Sequence, residues 1–181
     1  MSDIVYSFEQ QIGYWKQGEE IVFKHLMSKK EAVAVTDLSE NREYQSLWID
    51  GMYIYENEAT GIMHSFFFDV KTDMQMHKRD TIFVETSSDY TEKEKIKDGI
   101  LSTKAEYFLY YDPVLGRILW LPIFPFREWY KSKWISRVHY PVKGSWGFTT
   151  EWLIMSISEL RELFPFLELE LEVQKMSNNN V

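Results

Sequence analysis

At 181 residues with a net charge of −8, the chain has the length of one domain built around a single core. Hydrophobic residues at 45% and charged residues at 27% supply enough apolar surface to fold, which excludes disordered, collagen-like and coiled-coil classes. The acidic balance argues, on average, against a polyanion partner, and the absence of cysteine excludes disulfides, thiolate zinc sites and cysteine nucleophiles.

Ser7 followed by Gln10, with Ile12, Trp15, Val22 and Leu26 at helical spacing, predicts a first helix ending near residues 27–30. Residues 32–37 read as a short strand. Residues 46–55 alternate in strand fashion, 56–61 have turn composition, and 62–71 read as the returning strand, so an antiparallel hairpin is expected. A polar connection leads to a compact strand at 81–86. Residues 91–104 are a charged helix or a long loop, 105–112 a further strand, 113–117 a turn, and 118–124 another strand. Residues 127–143 carry Arg127, Lys131, Lys133, Arg137 and Lys143 against Glu128 alone, interleaved with Trp129, Tyr130, Trp134 and Tyr140. The rest of the chain is therefore more acidic than the total suggests. Ser156 and Glu159 form a capping pair that opens a short helix.

The expected fold class is α/β (α+β), a mixed central β-sheet flanked by helices. It forms one domain over residues 1–175, with a core at 7–122, an extension at 123–175 and a disordered tail at 176–181. The first residues lack the apolar segment of a signal peptide, and no stretch approaches the ~18 apolar residues of a membrane span, so a cytoplasmic protein without a membrane partner is the default expectation.

The candidate chemistry lies in the hairpin. Asp50 closes the run SLWID, and Asp69-Val70-Lys71 ends a strand containing three consecutive phenylalanines. Strand side chains repeat every second residue, so Asp69 and Lys71 share a face, and hairpin pairing can bring Asp50 beside them. Two carboxylates and an ammonium in one place suit metal-assisted phosphodiester hydrolysis: hard oxygens hold Mg²⁺, and the ammonium positions the nucleophile. An acid-x-Lys triplet is expected about twice by chance in this composition, so only the apolar strand around it gives it meaning. A buried acid there is costly unless paired or metal-bound.

With an acid on one strand, acid-x-Lys on the next and Glu19 on the first helix, the chain resembles the PD-(D/E)xK nuclease superfamily, the restriction-endonuclease-like fold. Glu19 fits better than Glu20 because Val22, Phe23 and Leu26 follow it on the buried helix face. The run Glu43–Asp50 and the stretch from Phe83-Val84-Glu85 to Thr103–Tyr107 are also similar to small phage and bacterial members, and the likeness covers about residues 7–112. Ile49 replaces the name-giving proline, and the acid before x-Lys is Asp where Glu is more usual. The resemblance implies a restriction-endonuclease-like core and a Mg²⁺-dependent DNA endonuclease, with Mn²⁺ able to substitute, acting in recombination, repair or restriction. Asp50, Asp69, the Val70 carbonyl and Glu19 would hold the metal, and Lys71 would orient or activate the attacking water.

Glu85 reads first as a strand-end charge and second as a further site acid; Gln45 reads first as a surface polar residue and second as a site-edge residue. The basic residues of 127–143 are candidate DNA contacts, while Trp129 and Trp134 are expected in the core. His25, His64, His77 and His139 lack ligand spacing, which disfavours zinc. No dinucleotide, Walker or nucleophile-elbow pattern is present. Many relatives act as dimers, so a homodimer is a candidate assembly by analogy. Two non-catalytic alternatives remain, a nucleic-acid- or protein-binding module on the same fold and an acidic DNA mimic.

Overall fold

A computed structural model describes residues 8–89, 99–133, 140–143 and 149–176. The chain opens with helix α1 (Phe8–Ser28) and strand β1 (Ala32–Asp37), followed by a one-turn helix α2 (Arg42–Gln45). Strands β2 (Gly51–Asn57) and β3 (Ile62–Thr72) form the hairpin, and a single turn of helix, α3 (Met76–Arg79), leads into β4 (Thr81–Asp89). A 3-10 turn at Gly99–Leu101 precedes β5 (Tyr107–Asp112) and β6 (Arg117–Pro122). Helix α4 (Ile123–Lys133), β7 (Tyr140–Lys143), β8 (Thr149–Ser156), α5 (Ile157–Leu163) and β9 (Glu168–Glu170) complete it.

The predicted mixed sheet is present, with six strands in the order β1-β2-β3-β5-β6-β9. Its pairs are antiparallel except β3 with β5, which run parallel. The compact strand at 81–86 belongs elsewhere. As β4 it pairs with β8 in a second sheet of order β4-β8-β7. The alternation of 81–86 does not say which sheet will receive it, because any strand with one apolar face can join either.

Each face of the six-stranded sheet has its own core. On one face, Ile21, Val22 and Leu26 of α1 pack with Phe68, Val70, Leu109, Tyr111 and Ile118. On the other, Phe108, Tyr110, Leu119 and Leu121 meet Ile82 and Val84 of β4, Leu153 and Met155 of β8, and apolar residues of α4 and α5. α1 lies close against β3 because Gly18 has no Cβ; one built there would overlap Thr72 Oγ1. That close approach places the next residue, Glu19, at the C-terminal half of β3.

Several boundaries depart from the sequence reading; Ile123 and Phe124, expected at the end of a strand, open α4 instead. Residues 46–49 are not strand: Leu47 and Trp48 follow α2 as turns, and pairing begins at Gly51. Gly51 faces Phe68 so closely that a Cβ would overlap the ring. At the C-terminus, Met176 is buried with its amide on Pro113 O at 3.2 Å, so it belongs to the fold; residues 177–181 lie outside the described residues. Much of the charged stretch 91–104, residues 91–98, also lies outside them. The capping residue Ser7 is likewise outside, whereas Ser156 caps α5 by accepting from Glu159 N at 3.1 Å.

Candidate active site

The hairpin register pairs Gly51 with Phe68, and the Asp50 amide donates to Phe68 O at 2.9 Å. Asp50 and Asp69 therefore stand opposite each other. They project to the face away from α1, since Phe68 and Val70 point toward it. Asp50 Oδ2 accepts from the Val70 amide at 2.7 Å, which ties the first acid to the strand carrying the second. Lys71, two residues on, places Nζ 2.7 Å from Asp69 Oδ1. Asp50, Asp69 and Lys71 are thus brought together as the alternation predicts.

Electrostatics follow from crowding and burial. Asp69 is 2% exposed. Burial raises its pKa well above the ordinary carboxylate value; Lys71 opposes the rise and the Asp50 carboxyl adds to it. Burial alone would lower Lys71, but Asp69 first and Asp50 next, with a weaker part from Glu85, hold its ammonium above the usual lysine value. Lys71 is therefore protonated, facing two acids.

Glu19 arrives from the α1 side of the sheet. Its carboxyl is pushed up to about 7, mainly by burial and then by Asp50 and Asp37, with Lys16 and Lys71 opposing. Asp37 is an acid the sequence reading passed over. It ends β1 opposite Gly51, and extending the hairpin pairing by one strand would have found it. Glu20, the rejected neighbour, is exposed and within 3.7 Å of Lys24. Among the described residues, no three His, Asp or Glu side chains converge closely enough to cage an ion by themselves.

Sequence reasoning also missed the aromatic wall. Strand β5 pairs Asp69 with Phe108 and Lys71 with Tyr110, and its rings line the same face. Tyr110 is buried, donates to Phe83 O at 3.1 Å and has its pKa raised by burial and then by Asp69, Asp73 and Glu85. The Lys71 ammonium lies 5.2 Å from the Trp48 ring centroid and 5.4 Å from that of Phe108. Burial of apolar-aromatic partners around a lone lysine leaves no short sequence signature, because the three residues come from separate segments.

The remaining candidates divide. Glu85 is in the body of β4, not at its end, and its charge reaches Lys71. Gln45 is exposed and donates to Ser39 O, bracing the loop before the site. Arg127, expected to face phosphate, turns inward: Nε donates to Ile100 O and a terminal nitrogen to Thr103 O, both at 2.8 Å. Lys131 is exposed and paired with Glu128 at 2.9 Å. Arg137 and Trp134 lie outside the described residues, as do the side chains of Lys133 and Lys143. Trp129, partly buried, packs on the core against Phe126 and Phe164. Of the histidines, His25 pairs with Glu170 and His64 stacks on Tyr55, with no shared ligand group.

No protein-family model and no curated protein matches this chain. Among solved structures, that of a bacterial homing endonuclease is similar with a TM-score of 0.44 at 12% identity, over 65% of this chain and 70% of that one. Agreement at that level does not fix a shared chemistry. The fold class follows from the strand order alone: a mixed sheet with helices about it. No described helix is long and apolar enough to cross a membrane.

Proposed function

We propose that the chain is a metal-dependent hydrolase of phosphodiester bonds in DNA, with Asp50, Asp69 and Lys71 as its working group. The observation that carries this reading is the convergence of two acids and an ammonium on one sheet face, with Lys71 Nζ 2.7 Å from Asp69 Oδ1. Two adjacent carboxyls, one of them buried and driven upward in pKa, form a site with surplus negative potential. Mg²⁺ suits such a set because it takes one or two carboxylates and keeps several waters. Asp50, Asp69 and the Val70 carbonyl would hold it, with Glu19 able to join through water. When bound, the ion would supply Lewis-acid charge neutralisation and a more acidic water; Mn²⁺ would serve in its place.

The residues themselves do the positioning. Asp50 is oriented by the Val70 amide, so its carboxyl has a defined direction. Lys71 is held by Asp69 and presents its remaining protons to an attacking water or a phosphate oxygen. With a folded value near 7, Glu19 exchanges protons near neutral pH.

The test is incubation with supercoiled, linear, single-stranded and branched DNA, with Mg²⁺, Mn²⁺ or chelator. Cleavage should require metal and fall at least about 100-fold in Lys71→Ala and in Asp69→Ala, while circular dichroism shows both folded. Activity surviving both substitutions would remove the proposal. The second reading is a non-catalytic nucleic-acid- or protein-binding module on the same fold. It is favoured by the lack, among the described residues, of a third acid converging with the pair. Calorimetric Mg²⁺ binding that vanishes in Asp50→Asn supports the hydrolase over the module.

A further inference from the structure

Trp48 has φ +57, the left-handed region that a bulky side chain rarely occupies and that persists only where the surroundings impose it. Here they do. Its carbonyl accepts from the hydroxyl of Thr103 at 3.0 Å, and its amide donates to Gln45 O at 3.1 Å. The preceding carbonyl, Leu47 O, accepts from the Lys104 amide at 2.9 Å. Thr103 is buried and is itself fixed, since the Ala105 amide donates to its Oγ1 and Arg127 donates to its carbonyl. A chain of contacts thus runs from α4 through Arg127 and Thr103 to Trp48. It ends on the ring that faces Lys71 Nζ at 5.2 Å, with Phe108 at 5.4 Å.

We infer that Trp48 is a positioning residue: its strained backbone, latched by Thr103, sets the indole as one wall of a two-ring seat that holds the Lys71 ammonium against Asp69. The lysine side chain is 32% exposed and has four rotatable bonds, so a single ion pair leaves it free to swing toward water. Cation–π contact with two rings removes that freedom without consuming an N–H donor that the substrate needs. The inward turn of Arg127 has the same explanation, as the far anchor of this chain. The catalytic half of the inference rests on the hydrolase reading; the geometric half does not.

The test therefore has two arms. In protein labelled at lysine Cε, the Lys71 resonance, assigned by its loss in Lys71→Arg, should lie upfield of the surface lysines through the ring currents. It should stay there in Trp48→Phe and move to the surface position in Trp48→Gly, where glycine accepts φ +57 without strain. Trp48→Leu, apolar without a ring, should move it likewise and serves if the glycine variant does not fold. An unmoved resonance in the ringless variants overturns the seat. In cleavage, kcat should fall about tenfold in Trp48→Gly or Trp48→Leu with KM within about twofold, and Trp48→Phe should restore most of the rate. A lost ring-current shift with unchanged kcat overturns the positioning role. Wild-type protein that cleaves no DNA overturns the hydrolase reading alone and leaves the resonance to decide the seat.

Discussion

Two aspartates are buried in the same sheet, each beside a cation, and their surroundings differ. Asp112, fully buried at the end of β5, accepts from the Val114 and Leu115 amides, each at 3.1 Å, and from Arg117 Nε at 3.0 Å. Arg117 then reaches Asp80 at 3.3 Å, joining the β5–β6 turn to the start of β4. Every lone pair the turn can serve is served, and the carboxylate closes a structural joint. Asp69 has Lys71 on one oxygen and a second carboxyl, Asp50, beside it. A protein that needed only a stable pair would not place another acid there. Saturated acids hold the fold; crowded, underserved ones are a store of electrostatic potential for a cation or a proton.

The largest effect expected from this contrast is at Asp112. Asp112→Ala strands a half-buried guanidinium and two turn amides, and should cost about 3–5 kcal/mol in urea unfolding. Asp69→Asn should behave in the opposite sense. It removes one of two crowded carboxyls while Asp50 still faces Lys71, so stability at pH 8 should rise by about 1–2 kcal/mol as the proposed metal-dependent cleavage disappears. A loss of stability comparable to that of Asp112→Ala would erase the distinction between the two sites.

Glu19 sharpens the same contrast through pH. Its folded value, about 7, lies above the ordinary 4.5, so the native state binds more protons than the unfolded chain between those values. Stability should therefore decline as pH rises from about 4.5 to about 7. Glu19→Gln should flatten that decline and gain about 1–2 kcal/mol at pH 8 in metal-free buffer, after allowance for solvent screening. Thermal melts from pH 4 to 8 check it; identical profiles for the two proteins would show that the Glu19 carboxyl is not held above its ordinary value. The smallest effect is a control on a helix cap: Ser156→Ala removes the cap on Glu159 N and should cost about 1 kcal/mol without altering the pH profile.

Much of this juxtaposition is legible in the sequence. Period-two alternation places Asp69 and Lys71 on one face, hairpin pairing brings Asp50 across from Asp69, and helical spacing selects Glu19 over Glu20. What was not legible depends on residues far apart in the chain. Nothing local marks Trp48 as left-handed, because Thr103 imposes that conformation from 55 residues away. The run 127–143 looks like a phosphate-binding stripe, yet Arg127 is committed to two carbonyls that only the folded chain brings within reach.

The sequence by itself determined the order of the elements and the facing of the acids, since both follow from short-range periodicity and from turns. Tertiary structure decided that 81–89 joins a second sheet, that Glu85 bears on Lys71, and that two rings enclose the ammonium. Those outcomes depend on which distant surfaces bury one another, and burial is a property of the packed chain that no window of residues contains.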